Sequence, residues 1–335
     1  MKKVGIIGAS GFAGEELVKF LNLHNSSSLI AVSSRELKGQ SMSNFVEGAN
    51  LTFVDPDDDI FFECDVIFFA TPHGVSMQKA KSYLENGIKV IDLSADFRLK
   101  DPVTWKEWYG TEHTDLENLE ESVYGLTELN AEKIRDAKLI AVPGCYPTAS
   151  ILGLAPLMTS GSNIDSITID AKSGISGAGR STVDNNLREE IKENFRAYAT
   201  SGHRHLPEIK QTLIDIYENE LSINFLPHLI PAMRGIYATI YVNFVDNTKD
   251  DFVDIYNNFY KDSPNVSIMP EGEIPEILKV SHTNNCQIGL YPSAIDNQIV
   301  IISAIDNLVK GAAGQAMECY NLMCGYKQTE GLING

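Results

Sequence analysis

Cys145 is the residue of this chain whose type and setting most favour covalent chemistry. It lies in the stretch AVPGCYPTAS, directly after Pro143 and Gly144 and before an apolar segment that predicts a helix. We expect Pro143-Gly144 to form a turn and Pro147 to lie in the first helical turn, where its missing N–H costs nothing. The free N–H groups at a helix N-terminus stabilise a thiolate and can bind an oxyanion. The alternative is a small apolar side chain without reactivity.

The other cysteines lack this setting and are predicted to be structural. They lie in or beside predicted strands or in the C-terminal helix: Cys64, Cys286, Cys319 and Cys324. No CxxC pair and no His/Cys spacing of the zinc-binding kind is present, so we predict reduced thiols and no metal site.

Two histidines in the segment GHRHLPEI are candidates for proton transfer. Histidine is suited to that role because its charge changes near neutral pH. Pro207 favours extended backbone in the preceding residue, and in a fully extended segment His203 and His205 point the same way. The sequence does not decide which of the two is the acid/base. His24 and His113 are predicted to be surface residues.

The glycine-rich segment GIIGASGFAG predicts a nucleotide site. Gly8, Gly11 and Gly14 fall between the first predicted strand and helix, where glycines allow the backbone to approach a pyrophosphate at a helix N-terminus. A glycine turn that binds nothing is the alternative. The second strand ends in Ser33-Ser34-Arg35, where an NAD enzyme usually has an acid. Hydroxyls and a guanidinium suit a 2′-phosphate, so NADP(H) is the predicted cofactor.

Two sets of contact residues follow from these and neighbouring motifs. The residues expected to bind the cofactor are Gly8, Ser10, Gly11, Phe12, Ala13, Ser33, Ser34, Arg35, Ala70 and Pro72. Anion-binding groups also lie in DLSADFR, SGISGAGR and FRAYATSGHRH, where backbone N–H groups and arginines can hold a phosphate or carboxylate. The predicted substrate contacts there are Ser94, Arg98, Arg180, Arg196 and Tyr198.

The strand and helix pattern predicts two domains. Before Cys145, apolar strands alternate with helices, which is typical of an α/β domain with a parallel sheet covered on both faces. The polar segment of about residues 99–135 is expected to leave that sheet. After Cys145 the strands are longer and alternating, which indicates an α+β domain with a mostly antiparallel sheet. We predict a first domain over 1–146 with the C-terminal helix 308–335, and a second over 147–307.

Charge and hydropathy exclude several classes of protein. The net charge is −18 and no cluster of Lys and Arg is present, which argues against nucleic-acid binding. No apolar run is long enough to span a membrane, and the first residues lack a signal-type cleavage site. We expect a cytoplasmic protein with a small-molecule substrate.

With these motifs assembled, the chain resembles the N-acetyl-γ-glutamyl-phosphate reductase family, relatives of aspartate-semialdehyde dehydrogenase. The similar segments include GASGFAGEEL, ATPHG, DLSADFRL, VPGCYPTA, SGISGAGR, HRHLPEI and AIDNLVKGAAGQA. The resemblance implies a Rossmann domain for NADP(H), a second domain for catalysis and oligomer contacts, and a homotetramer or dimer. It implies Cys145 as nucleophile, His203 as acid/base with His205 as alternative or substrate contact, and Arg98 as a phosphate or substrate contact. It further implies cofactor-side roles for Ser176, Gly177, Asn307 and Lys310.

The activity that the resemblance implies is NADPH-dependent reduction of an acyl phosphate through a thioester on Cys145. The expected substrate is N-acetyl-γ-glutamyl phosphate, and the product is the semialdehyde of arginine biosynthesis. Alternatives are a carrier-linked aminoadipyl phosphate, N-succinylglutamyl phosphate, and the substrate of aspartate-semialdehyde dehydrogenase. A dinucleotide or redox sensor would need the cysteine but not the histidines.

Overall fold

The computed structural model describes residues 1–246 and 251–332, which divide into two compact units. The first unit comprises Met1–Gly144 and residues 312–332, and the second comprises Cys145–Gly311. The strands are β1 Lys2–Ile7, β2 Ser27–Ser33, β3 Phe53–Val54, β4 Val66–Phe69, β5 Lys89–Asp92, β6 Val123–Tyr124, β7 Leu139–Ala141, β8 Ile164–Ser173, β9 Arg196–Ala197, β10 Ser222–Leu229, β11 Ile236–Phe244, β12 Val266–Ile268, β13 Cys286–Pro292 and β14 Gln298–Ile305.

The helices differ widely in length, and several are short. They are α1 Phe12–Leu23, α2 Ser76–Glu85, α3 Pro102–Tyr109, α4 Leu116–Glu121, α5 Thr127–Asp136, α6 Cys145–Met158, α7 Arg180–Thr182, α8 Arg188–Ile191, α9 His205–Tyr217, α10 Phe252–Tyr260, α11 Ile277–Val280 and α12 Gly314–Cys324. Two π-helical turns occur, Val183–Leu187 between α7 and α8 and Val309–Ala313 before α12.

The first unit contains a parallel sheet of seven strands in the order β3-β2-β1-β4-β5-β7-β6. The strands β4 and β7 are buried along their whole length, as the apolar sequence predicts for a sheet covered on both faces. The α/β prediction for this part of the chain is therefore confirmed. The segment expected to leave the sheet does so only in part, because β6 adds the last strand at its edge.

The second unit contains a mixed sheet of seven strands in the order β12-β13-β14-β11-β8-β10-β9. Four of its neighbouring pairs are antiparallel, and β8–β10 and β12–β13 are parallel. Along β11, Ile236, Ala238, Ile240 and Val242 are buried, whereas the residues between them are not. Helix α6 packs on the buried face, which confirms the prediction of an α+β domain.

Helix α12 completes the first unit, although it follows the whole second unit in the chain. The Gln315 side-chain N–H donates to the Gly125 carbonyl (2.9 Å), and the Cys319 thiol lies 3.2 Å from the same oxygen. A Cβ on Gly125 would lie 2.7 Å from Ile140 Cγ2 and 3.0 Å from Cys319 Sγ, so only glycine allows this close packing.

The expectation that His24 and His113 lie on the surface is wrong, because both are buried. The His24 Nε2 is 2.9 Å from Asn321 Oδ1, in a helix almost 300 residues later in the chain. The His113 Nε2 is 2.7 Å from the Asp96 carbonyl oxygen. Both rings have polar partners from distant segments, which satisfy their nitrogens away from water.

Candidate active site

Cys145 is the first residue of α6, a helix of 14 residues in which every later side chain is buried. Pro147 lies in its first turn, as predicted, and the thiol-bearing residue itself is half-buried. The backbone of Gly311 packs directly against it, because a Cβ on Gly311 would lie 2.8 Å from Cys145 Cβ and 3.2 Å from its Cα. The nucleophile candidate is thus fixed by a buried helix on one side and a glycine on the other.

His203 and His205 lie together, but the segment that carries them is not extended. His205 begins α9, and its backbone N–H donates to His203 Nδ1 (3.1 Å). Pro207 lies in the first turn of this helix, a position that proline accepts as readily as an extended segment. The expected strand geometry is therefore wrong. The two imidazole centroids are nevertheless only 4.8 Å apart, with the ring planes tilted by 59°.

Tyr146 connects the cysteine's helix to the histidine pair, a role that the sequence did not predict. Its ring meets those of His203 and His205 edge-on, with centroids 5.6 and 5.9 Å apart. The Tyr198 hydroxyl donates to the Tyr146 hydroxyl (3.1 Å) and is 3.5 Å from His203 Nε2. Since Tyr146 follows Cys145 directly, its position was the only signal for this contact in the sequence.

Burial sets the protonation of this cluster. It lowers the pKa of His203 to about 4, with a further contribution from the Arg204 guanidinium. The imidazole is therefore neutral at neutral pH and is able to accept a proton. Burial also raises the pKa of Tyr198 to about 12, so that its phenol stays a hydrogen-bond donor.

Glu208, which the sequence gave no reason to select, is buried in the first turn of α9.

Two of the predicted cofactor-side residues of the second unit, Ser176 and Asn307, are joined by a hydrogen bond. The Asn307 side-chain N–H donates to Ser176 Oγ (2.9 Å), and its Oδ1 accepts from the Gly235 backbone N–H (2.7 Å). Gly177 is exposed beside them, and Lys310 is fully buried in the π-helical turn. The loops around 176, 235 and 307 are thus brought together.

The two arginines of the second unit that are predicted to contact substrate, Arg180 and Arg196, lie in different settings. Arg180 begins α7 and is partly exposed. Arg196 lies on the exposed edge strand β9, where its guanidinium pairs with Glu190 (3.0 Å). Tyr198, another predicted substrate contact of this unit, contacts His203. The substrate roles of both arginines stay predictions.

In the first unit, the glycine loop contacts the end of β2, and both segments are predicted to bind the cofactor. Gly8 has a φ of +89° and its backbone N–H donates to Ser33 Oγ (3.3 Å), while Ser10 Oγ donates to Ser34 Oγ (3.0 Å). A Cβ on Gly8 would lie 2.6 Å from the Ala70 carbonyl oxygen, so that position requires glycine. Phe12 and Ala13 open α1, and Pro72 is exposed beyond β4.

Arg35 extends from this corner with a mostly exposed side chain, 3.9 Å from an Asp57 carboxylate oxygen. An exposed ion pair of this kind is weak and readily exchanged for another anion. The corner therefore offers backbone N–H groups, hydroxyls and one accessible guanidinium, which is the donor set that a phosphorylated dinucleotide requires.

Ser94 and Arg98 are buried and make bonds within the first unit. The Ser94 hydroxyl donates to Asp92 Oδ2 (2.8 Å) and lies 3.1 Å from Ser76 Oγ. The Arg98 guanidinium donates to the carbonyls of Val142 and Leu93, both at 2.8 Å. These bonds tie the ends of neighbouring strands together. The substrate contacts predicted for both side chains stay predictions.

Neither a metal cluster nor a membrane helix occurs in the described parts of the chain. Within residues 1–246 and 251–332, no group of three or more His, Cys, Asp or Glu side chains could hold a metal ion. Of the helices in those same ranges, none has the length and apolar character needed to cross a membrane.

Comparison with known proteins shows the family to which the chain belongs. Residues 3–137 match the model of the semialdehyde dehydrogenase NAD binding domain, and residues 145–307 match that of the semialdehyde dehydrogenase dimerisation domain. The N-acetyl-gamma-glutamyl-phosphate reductase of Ruthia magnifica subsp. Calyptogena magnifica is 46% identical to this chain, over 99% of the chain and 98% of that protein. The chain belongs to the N-acetyl-gamma-glutamyl-phosphate reductase family. The resemblance inferred from its motifs is thereby confirmed.

Solved structures show that this reductase family member has the semialdehyde dehydrogenase fold. Aspartate semialdehyde dehydrogenase II of Vibrio cholerae, complexed with ASA, aligns with a TM-score of 0.76 at 15% identity, covering 97% of this chain and 98% of that one. The aspartate semialdehyde dehydrogenase of Candida albicans, with NADP, aligns with a TM-score of 0.72 at 18% identity, covering 97% and 99%. At such identities the likeness concerns the fold alone.

Proposed function

We propose that this protein reduces N-acetyl-γ-glutamyl phosphate with NADPH to N-acetylglutamate 5-semialdehyde and phosphate, reversibly, in arginine biosynthesis. The observation that carries the proposal is Cys145 at the start of a buried helix, in a chain 46% identical over its length to a protein of that name. The names of the relatives do not favour the carrier-linked, succinyl or aspartyl substrates. The histidine pair beside Tyr146 is not needed by a redox sensor.

In the proposed reaction, neutral His203 takes the proton of the Cys145 thiol, and the thiolate attacks the γ-carbonyl carbon. The carbon–oxygen bond to phosphate breaks, and His203 gives its proton to the departing phosphate. A thioester remains on Cys145. NADPH, when bound, supplies the hydride that reduces this carbon. The backbone N–H groups at the start of α6 are proposed to bind the resulting oxyanion. When the carbon–sulfur bond breaks, the semialdehyde leaves, and the Cys145 thiolate takes up a proton from solvent to restore the thiol. His205 is the alternative to His203 as acid/base.

The glycine loop is the proposed NADPH site of the first unit. Gly8 provides a turn in which any Cβ would meet the Ala70 carbonyl, so the backbone stays open to a pyrophosphate at the start of α1. Ser33, Ser34 and Arg35 are proposed to hold the 2′-phosphate. The Candida albicans dehydrogenase of the same fold was solved with NADP, which supports this cofactor class.

We propose that the subunits of a homo-oligomer meet through the second unit. The face of the mixed sheet opposite α6 carries Tyr237, Tyr241, Val300 and Ile302, which are half-buried or exposed rather than buried. The matched dimerisation domain covers the whole of this sheet from β8 to β14. Tyr241→Glu is expected to shift the oligomer, a dimer or tetramer, toward monomer in light scattering.

The five free cysteines suit the reducing cytoplasm, which is the proposed location.

The decisive experiment runs the reaction backward. N-acetylglutamate semialdehyde, phosphate and NADP⁺ are mixed with the protein, and NADPH absorbance is followed. Cys145→Ser is expected to remove turnover, whereas Cys324→Ser, at another half-buried free cysteine, keeps it. N-succinylglutamate semialdehyde and aspartate semialdehyde serve as competing substrates. A Cys145→Ser protein with near wild-type turnover contradicts the thioester, and a preference for either competing aldehyde contradicts the substrate.

A further inference from the structure

A buried carboxylate lies at the centre of the segment that follows β14. Asp306 is fully buried, and both of its side-chain oxygens accept hydrogen bonds. Its Oδ1 accepts from the backbone N–H groups of Leu308 (2.8 Å) and Val309 (3.1 Å). This is the pattern of an N-cap, in which a carboxylate satisfies the first free N–H groups of a helical segment. The segment that it caps is the π-helical turn Val309–Ala313.

The other oxygen of the same carboxylate joins two further loops to this turn. Its Oδ2 accepts from the His282 backbone N–H (2.7 Å) and lies 3.4 Å from an Arg234 guanidinium nitrogen. A buried carboxylate held by four donors is costly to disturb, because each donor left without it would be buried and unsatisfied. Asp306 therefore fixes the turn with respect to the rest of the second unit.

The turn carries the residue that packs on the nucleophile. The Gly311 backbone N–H donates to the Asp306 carbonyl oxygen (2.9 Å), and Gly311 lies so close to Cys145 that a single added methyl group would overlap its Cβ. Any shift of the turn is therefore transmitted to Cys145 through direct contact. π-Helical turns inside α-helices are often found at functional sites, which agrees with this placement.

We propose that Asp306 is a positioning residue for the Cys145 thiol and acts through the turn that it caps, with Gly311 as the point of contact. The inference deepens the proposed function and rests on Cys145 as its nucleophile. The four donors to the Asp306 carboxylate are three backbone N–H groups and one guanidinium nitrogen. The role of Asp306 is to hold the backbone against which the thiol-bearing residue is packed, so that the sulfur keeps one orientation toward an acyl carbon.

The test measures the reactivity of Cys145 without any substrate. Wild-type, Asp306→Asn and Gly311→Ala proteins are treated with iodoacetamide over a range of pH, and alkylation of the peptide containing Cys145 is quantified by mass spectrometry. Asp101→Asn is the matched control, because Asp101 caps α3 through the same two N–H positions, Val103 and Thr104, in the first unit.

Both test variants are expected to lower kcat by about ten-fold or more with a smaller change in KM, because a displaced nucleophile loses near-attack geometry. Both are expected to change the rate or pH profile of Cys145 alkylation, whereas Asp101→Asn changes neither. Gly311→Ala keeps the test decisive if Asp306→Asn fails to fold, because its Cβ would press on Cys145 Cβ at 2.8 Å and leave the Asp306 carboxylate and its four donors in place.

Unchanged alkylation and kcat in a folded Gly311→Ala protein would overturn the proposal. Its failure is distinguishable from failure of the proposed function. If Cys145→Ser abolishes turnover while Gly311→Ala leaves turnover and alkylation unchanged, the nucleophile stands and the positioning role is wrong. If Cys145→Ser keeps turnover, the proposed function itself is wrong, whatever the alkylation shows.

Discussion

His203 makes the stability of the protein depend on pH in a predictable direction. Burial lowers its pKa from 6.5 to about 4 in the folded protein. Because the folded state binds this proton less readily than the unfolded chain, protonation below pH 6.5 favours unfolding. The destabilisation is absent well above pH 6.5, grows as the pH falls through that value, and reaches its full size near pH 4. A shift of this size corresponds to about 3 kcal/mol in full.

The variant His203→Gln removes the titrating group and keeps a polar side chain of similar length. Between about pH 8 and pH 5, wild-type protein is expected to lose about 2 kcal/mol more of its free energy of unfolding than the variant does. Urea unfolding at the two pH values gives this double difference, in which the other titrating groups cancel. His73→Gln, at an exposed ring, supplies the background change for losing a histidine.

The direct measurement is an NMR titration of the His203 ring proton on Cε1. A midpoint near 6.5, with a double difference within about 0.5 kcal/mol of zero, would refute the reasoning from burial. The ring would then be solvated, and its proposed role as a neutral acceptor for the thiol proton would lose its physical basis.

Three further predictions concern the first unit. Gly125→Ala is expected to lower the free energy of unfolding by about 1–3 kcal/mol in urea, and Cys319→Ala to recover part of it; no change would contradict the tight packing. Burial, and then the neighbouring Asp96, raise the pKa of Asp92, so folding takes up a proton and stability falls as the pH rises from about 4 toward 8. Asp92→Asn is expected to make the free energy of unfolding, measured with urea, depend less on pH over this range. An unchanged dependence on pH would contradict the raised pKa of Asp92. Arg35→Ala is expected to lower kcat/KM for NADPH by about ten-fold while sparing NADH; an equal loss for both would place Arg35 away from the 2′-phosphate.

Much of the fold was predictable because its signals are local. Apolar strands alternating with helices predicted the parallel sheet. Glycines at a strand–helix junction and the hydroxyls that end β2 were both predicted to bind the cofactor, and Gly8 and Ser10 contact Ser33 and Ser34. Cys145 could be placed at a helix start because Pro143-Gly144 predict a turn before it and Pro147 suits the first helical turn after it.

The wrong predictions have two physical causes. Some of the contacts come from partners that are distant in the chain, and one residue is compatible with two backbone conformations. His24 is buried only because Asn321 returns to it, and no local pattern records that contact. Pro207 is accepted both in an extended segment and in a first helical turn, so it could not decide the geometry of the histidines. Asp306 could not be selected, because a lone acidic residue after a strand gives no sign of the four donors that meet it.

The return of α12 to the first unit has a consequence for the order of folding during synthesis. The ribosome synthesises all of Cys145–Gly311 before it makes Gln315 and Asn321, the partners of Gly125 and His24. The first unit therefore lacks part of its core at a time when the second unit, which is synthesised after most of it, already has all of its own strands. Such a nascent chain exposes apolar surface for the seconds needed to translate the second unit, at about 5–20 residues per second. Ribosome-bound chains stopped at residue 311 are accordingly expected to expose Cys319's partner Gly125 to solvent and to bind chaperones more than the complete protein does.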